Sequence, residues 1–76
     1  MNKKYVINFK SDEKACVWIA LSDDVPGLVL EHGSLDALME RVRVAVPEVL
    51  EVNENKAKDI DLYYMTERHE TVRMYG

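Results

Sequence analysis

One stretch of this sequence has a helical pattern, and the segments on both sides of it have the composition or period of strands. Residues 35–49 place apolar side chains at the i, i+3, i+4 and i+7 spacing of a helix face. Residues 4–10 and 60–66 instead show the period of two that is typical of strands, and the short runs 15–22 and 28–31 are rich in apolar, strand-forming residues. Since a single helix covers only one face of a sheet, this order predicts an α+β domain of the form βββαβ with an antiparallel-rich sheet and one open face.

The connections between the first three strands carry local turn signals. The polar stretch 11–14 predicts an antiparallel hairpin with a longer loop. Cys16, at the start of the second strand pattern, is expected to be a buried and unreactive thiol. Pro26 and Gly27 predict a type II turn, because proline presets its own φ and glycine tolerates the positive φ that the next position requires.

The helix has a clear start and an awkward end. Ser34 is the expected N-cap, and Asp36 places a negative charge in the first turn. Pro47 lies inside the helical pattern, where it removes a backbone hydrogen bond and crowds the carbonyl four residues back. We therefore expect the helix to kink or restart at Pro47. The strand-helix-strand connection that follows is expected to be right-handed.

The C-terminal part of the sequence continues the strand pattern less regularly. Residues 53–59 have no apolar period and predict a loop. Residues 71–75 predict either a fifth short strand or an extension that pairs with another subunit. A chain of 76 residues forms one domain, residues 1–76, whose core is thin. We therefore expect a homodimer that pairs edge or tail strands and buries further apolar side chains, namely Trp18, Tyr63, Met65, Val72, Met74 and Tyr75.

Charge and cysteine content restrict the class of partner. Fourteen acidic and ten basic residues give a net charge of −4 and a pI near 5.0. This balance disfavours a protein that coats nucleic-acid phosphates and favours a basic partner. The single cysteine forms no internal disulfide, and no apolar run is long enough for a signal peptide or a membrane span. A cytoplasmic protein without a membrane partner is expected.

Residue types used in catalysis occur without the spacing that catalysis needs. His32 and His69 are the available bases, and together with Cys16 they lack the spacing of a metal site. Three widely spaced glycines exclude a phosphate-binding loop. Asp23 and Asp24 precede Pro-Gly, where turn chemistry explains them better than an acid-base pair. No catalytic residue, metal or cofactor is predicted.

Residues 15–53 carry a more specific pattern. Trp18-Ile19-Ala20 in the second strand and the turn Asp24-Val25-Pro26-Gly27 precede a helix with Leu35, Leu38 and Ala45. In these features the chain closely resembles the HicB-like antitoxin domain, and its helix end is similar to a short, uncharacterised branch of HicB-related domains. The strand at residues 60–66 extends the resemblance.

The resemblance implies a fold like a truncated ribonuclease H fold and an antitoxin that masks a small, basic, mRNA-cleaving toxin. No pattern for a DNA-binding domain follows residue 66, so direct nucleic-acid binding is not expected. Acidic side chains at or beside strand ends are the candidate contacts with the toxin: Asp12, Glu13, Asp23, Asp24 and Glu31. A competing hypothesis is an orphan oligomeric module that binds another protein, or a small ligand beside the Pro26–Gly27 turn; a third is a divergent nuclease.

Overall fold

A computed structural model describes residues 2–50 and 59–76. It contains a four-stranded sheet and a helix in the predicted order βββαβ. The predicted α+β fold class is therefore confirmed. The elements are β1 (Lys3–Asp12), β2 (Val17–Leu21), β3 (Val29–His32), α1 (Leu35–Val49) and β4 (Ile60–Glu67).

The sheet is mixed, with the strand order β3-β2-β1-β4. β1 pairs antiparallel with β2 and parallel with β4, and β2 pairs antiparallel with β3. Because β3 and β4 are the two edge strands, the connection through α1 passes from one edge of the sheet to the other. β1 is ten residues long because its ladder with β4 covers Lys3–Lys10 and its ladder with β2 covers Asn8–Asp12.

The core lies between α1 and one face of the sheet. Ile7 and Phe9 of β1 are fully buried there, together with Leu38 and Val42 of the helix. The ring of Tyr64 meets that of Phe9 edge to face, with centroids 5.3 Å apart and an interplanar angle of 88°. Aromatic pairs in this arrangement add stabilisation beyond the area they bury.

The start of α1 follows the predicted capping chemistry. The Ser34 hydroxyl accepts a hydrogen bond from the backbone N–H of Ala37 at 3.3 Å, and Asp36 lies in the first turn. The backbone N–H of Ser34 in turn donates to Nδ1 of His32 at 2.9 Å. These bonds fix the short link between β3 and α1, so the helix turns back over the sheet within two residues.

The structure corrects the expectation of a restart at Pro47. The helix continues through Pro47 and ends at Val49. Pro47 lies in the last turn, where its missing N–H removes only the bond to the Arg43 carbonyl. The backbone N–H of Leu50 still donates to the Val46 carbonyl at 3.0 Å and closes that turn.

Cys16 is a second correction, because the thiol is exposed and lies before β2 begins. The carboxylate of Asp12 accepts hydrogen bonds from the backbone N–H groups of Lys14 and Ala15, at 3.1 and 3.2 Å. These bonds form the hairpin turn, and Cys16 completes it with a positive φ of 56°. The turn therefore includes two residues, Ala15 and Cys16, that the apolar content of residues 15–22 placed in the strand.

The C-terminal segment forms no fifth strand within the described residues. Residues 68–76 have no regular secondary structure and are exposed throughout. The predicted loop at 53–59 lies largely outside the described residues.

Candidate interaction surface

The face of the sheet opposite α1 carries apolar side chains that none of the described elements covers. We call it the open face. Strand register places alternate residues of all four strands on it. Val29 and Met65 retain 68% and 57% of their accessible surface. Its apolar members are Val6, Val17, Ile19, Leu21, Val29, Tyr63 and Met65.

Charged side chains border this apolar area on the strand ends. Lys4 and Asp61 are register partners at one end, and Lys10 and Glu67 are partners at the other. The ammonium of Lys4 lies 4.4 Å from the ring centroid of Tyr63, in cation–π geometry. An apolar centre with a charged margin is the usual composition of a protein-binding surface.

The open face is suited to binding. Contiguous exposed apolar patches mark sites that bind proteins, membranes or ligands. Within residues 2–50 and 59–76, no three His, Cys, Asp or Glu side chains converge on a point that would hold a metal. In the same part of the chain, no helix is long and apolar enough to cross a membrane.

The side chains of Ser22 and Asp24, which follow β2, form hydrogen bonds with the backbone of β1. The Ser22 hydroxyl donates to the Val6 carbonyl at 2.6 Å, and the Asp24 carboxylate accepts from the Val6 N–H at 2.7 Å. The Ser22 oxygen also accepts from the backbone N–H groups of Asp24 and Val25. These side chains replace the ladder bonds that β1 loses where β2 ends. The interpretation of Asp24 as a turn residue therefore agrees with its contacts.

The turn after Asp24 has the geometry that its sequence predicts. The Leu28 N–H donates to the Val25 carbonyl at 3.1 Å, and Gly27 between them has a φ of 84°. Both Val25 and Leu28 are buried, so the turn holds two apolar side chains against the core. Two grooves formed by described residues, one beside Leu30 and one beside Met65, do not border Pro26 or Gly27.

The five predicted acidic contacts do not form one cluster. Asp12 and Glu13 lie at the hairpin end of the sheet, whereas Asp23 and Asp24 follow β2 at the opposite end, about 16 Å away along five residues. Glu31 lies between these ends, on the open face beside Ile19. Asp12 and Asp24 form hydrogen bonds with nearby backbone groups, so their charges also serve the fold.

The predicted self-association residues also separate into groups. Trp18 lies on the helix side of the sheet, where it packs against the core, so it does not share a face with Tyr63 and Met65. Val72, Met74 and Tyr75 lie on the exposed C-terminal segment. These three retain 73%, 91% and 89% of their accessible surface.

Sequence reasoning missed several open-face members, chiefly Ile19, Leu21 and Val29. Their signal was present, because Val17, Ile19 and Leu21 alternate with Trp18 and Ala20. Alternation along a strand shows which residues share a face, but it does not show which of the two faces the helix covers.

This architecture and chain length are found in a solved structure. The crystal structure of a hypothetical protein from the extremely thermophilic bacterium Thermus thermophilus is similar to this chain, with a TM-score of 0.67 and 33% sequence identity. The similarity covers 95% of this chain and 100% of that one. No curated protein matches the chain. Residues 4–76 match the family described as a domain of unknown function, DUF1902. The chain is therefore a member of the DUF1902 family.

Proposed function

We propose that this protein is a HicB-like antitoxin that acts in the cytoplasm and catalyses no reaction itself. It binds a small, basic, mRNA-cleaving toxin through the open face and masks the toxin's catalytic surface. The observation that carries the proposal is the open face, an apolar surface on a small acidic domain, in a chain whose residues 15–53 resemble the HicB-like domain.

Charge supports a basic partner. The chain carries a net charge of −4, and Glu31 and Glu67 lie on the open face at its margin. Opposite charges on two proteins accelerate their encounter and suppress binding of acidic competitors. Binding that depends on such charges weakens as salt is added, because exposed charges are screened over about 8 to 10 Å at physiological salt.

The apolar centre supports tight contact once the partners meet. Met65, Leu21 and Val29 lie in one row across β4, β2 and β3. Aromatic and methionine side chains are enriched at protein interfaces, and Tyr63 extends the row's apolar area. Burying these side chains against a partner removes apolar surface from water, which is the main favourable term in association.

Co-expression with a neighbouring gene tests the proposal. A toxin candidate is a small basic reading frame that adjoins the gene for this chain and carries a histidine in a double-stranded-RNA-binding pattern. We expect its expression alone to stop growth and cleave mRNA, and co-expression of this chain to restore growth. The two proteins should also copurify. A neighbour that is harmless, or that does not bind this chain, would overturn the proposal and favour an orphan interaction module.

Variants locate the binding surface. Met65→Glu places a charge in the apolar centre, and we expect it to abolish rescue while leaving the protein folded. Val49→Glu is the control, because Val49 is also an exposed apolar residue but lies in the last turn of α1, away from the open face. Asp23→Lys tests the charge contribution, since no described hydrogen bond uses that carboxylate. Equal rescue by Met65→Glu and the native chain would exclude the open face.

A further inference from the structure

The edge of the sheet at β3 forms a groove with the helix. Leu30 of β3 lies opposite Val44 and Ala45 of α1, and the space between them is about 530 Å³. Val44 retains 64% of its accessible surface, so its side chain is available for contact with a further segment. Glu40 and Glu48 lie at the margin of the groove. The groove therefore has an apolar floor and a polar margin.

Within the described residues, β3 has a strand neighbour on one side only, which is β2. Alternate residues of β3 therefore direct backbone N–H and C=O groups away from the sheet. Such an edge is a template for a further strand. Leu30 points toward the groove, whereas Val29 and Glu31 lie on the open face. A strand added here would thus place one set of side chains in the groove and the other on the open face.

The C-terminal segment has the pattern of that missing strand. In residues 70–76, Val72 and Met74 alternate with Arg73 and Tyr75. These apolar side chains are almost fully exposed, and the segment has no partner strand within the described chain. An exposed segment of this kind gains both backbone hydrogen bonds and apolar burial when it joins a sheet edge.

We propose that residues 70–76 of one copy add an antiparallel strand to β3 of a second copy, with Val72 and Met74 in the groove between β3 and α1. The second copy returns its own segment, and a two-fold axis relates the exchanges. Antiparallel pairing in this register satisfies charge and apolar contacts together. It pairs Met74 with Leu30, Arg73 with Glu31 and Tyr75 with Val29.

A second copy fits better than the segment's own groove. The segment continues β4, and β4 and β3 are opposite edges of the sheet, about 14 Å apart across three strand spacings. Beyond β4 the chain passes the hairpin turn, where Nδ1 of His69 lies 3.9 Å from a carboxylate oxygen of Glu13. Beyond this turn, residues 70–76 are exposed and have no strand partner within the described chain. The proposal is independent of the antitoxin function, because it requires no other protein.

Disulfide trapping tests the proposed register. In a Cys16→Asn background, chains with Val29→Cys are mixed with chains with Tyr75→Cys and oxidised. We expect a disulfide-linked dimer on a non-reducing gel. The matched control pairs Tyr75→Cys with Tyr63→Cys, which lies on the opposite edge strand. Linkage of the control pair alone would show that the segment joins β4, and it would overturn the proposal.

Analytical sedimentation measures the monomer–dimer equilibrium and provides an independent test. Deleting residues 70–76 should leave a monomer at concentrations where the full chain is a dimer. Arg73→Glu and Glu31→Arg should each raise the dimer dissociation constant by about fivefold, and the double variant should restore it. A full chain that is monomeric at micromolar concentration, or a deletion that leaves the dimer intact, contradicts the proposal. Met65→Glu should leave the dimer unchanged, so failure of the antitoxin proposal and failure of this one remain distinguishable.

Discussion

The two faces of the sheet are made by the same alternating strands, yet they serve the protein differently. On the helix side, Ile7 and Phe9 are completely buried, and they pack with α1 and Tyr64. On the open face, Met65 and Val29 remain largely accessible. The folding free energy of this domain is therefore concentrated on one face. Side chains on the other face are free to change, or to bind a partner, at little cost to folding.

The difference follows from the size of the chain. One 15-residue helix covers one face of the four-stranded sheet, and residues 2–50 and 59–76 contain no second helix to cover the other. Apolar residues that stay on the uncovered face contribute little to the stability of the monomer. Their presence is better explained by association than by folding.

The largest difference between the two faces should appear when one apolar side chain on each face is truncated. Phe9→Ala should lower the free energy of unfolding by about 3 to 5 kcal/mol, because it removes a buried ring and leaves a cavity. Met65→Ala should change it by less than about 0.5 kcal/mol. Urea unfolding followed by circular dichroism measures both values. If Phe9→Ala does not fold at all, Ile7→Val gives a graded version at about 0.5 to 1.5 kcal/mol. Equal losses at Phe9 and Met65 would contradict the assignment of the two faces.

Ser22→Ala tests the hydrogen bonds that link the end of β2 to β1 at the boundary of the core. The substitution leaves the Val6 carbonyl and two backbone N–H groups without their partner, so we expect a loss of about 1 to 3 kcal/mol. The control is Asp23→Ala at the neighbouring exposed position, which should be nearly neutral. The same urea titration reports both changes. A neutral Ser22→Ala would show that water replaces these bonds without cost.

Gly27→Val tests the turn that holds Val25 and Leu28 against the core. A valine at a φ of 84° is strained by about 1 to 2 kcal/mol. No atom lies within 4 Å of the position a Cβ would take, so the loss comes from the backbone and not from a clash. Gly27→Asn is the control, because asparagine tolerates positive φ better, and thermal unfolding should rank native, Asn and Val in that order. A valine variant as stable as the native chain would contradict the turn geometry.

The smallest expected effect compares two lysines on opposite faces. Lys4→Met removes an ammonium 4.4 Å from the Tyr63 ring centroid on the open face, whereas the Lys3 ammonium lies 5.5 Å from that of Tyr5. We expect Lys4→Met to cost about 0.5 kcal/mol and Lys3→Met to cost less, since the attraction weakens with distance. Paired chemical denaturation at low salt measures the difference. A larger loss from Lys3→Met would reverse the ranking.

Two assignments made from the sequence were wrong, because hydrogen bonds or position within an element outweighed the general preference of the residue. Apolar content assigned Cys16 to a strand, but the Asp12 carboxylate organises a turn that includes it. Helix rules predicted a kink or a restart at Pro47, but the helix continues through it, and its position in the last turn reduces the loss to one hydrogen bond.

The predicted acidic contacts lie at or beside strand ends, as the sequence indicated. The register distributes them over two ends of the sheet, and their role in binding stays a prediction.

Local sequence patterns are sufficient to predict the order of elements, the Ser34 cap, the Pro26–Gly27 turn and the apolar face of the helix. Each depends on residues a few positions apart, so propensity, hydrogen bonding and periodicity account for it. Tertiary contacts set the parallel pairing of β1 with β4, the face that α1 covers, and the groove beside β3. These depend on contacts between residues far apart in the chain, because a period of two is the same whichever face is buried.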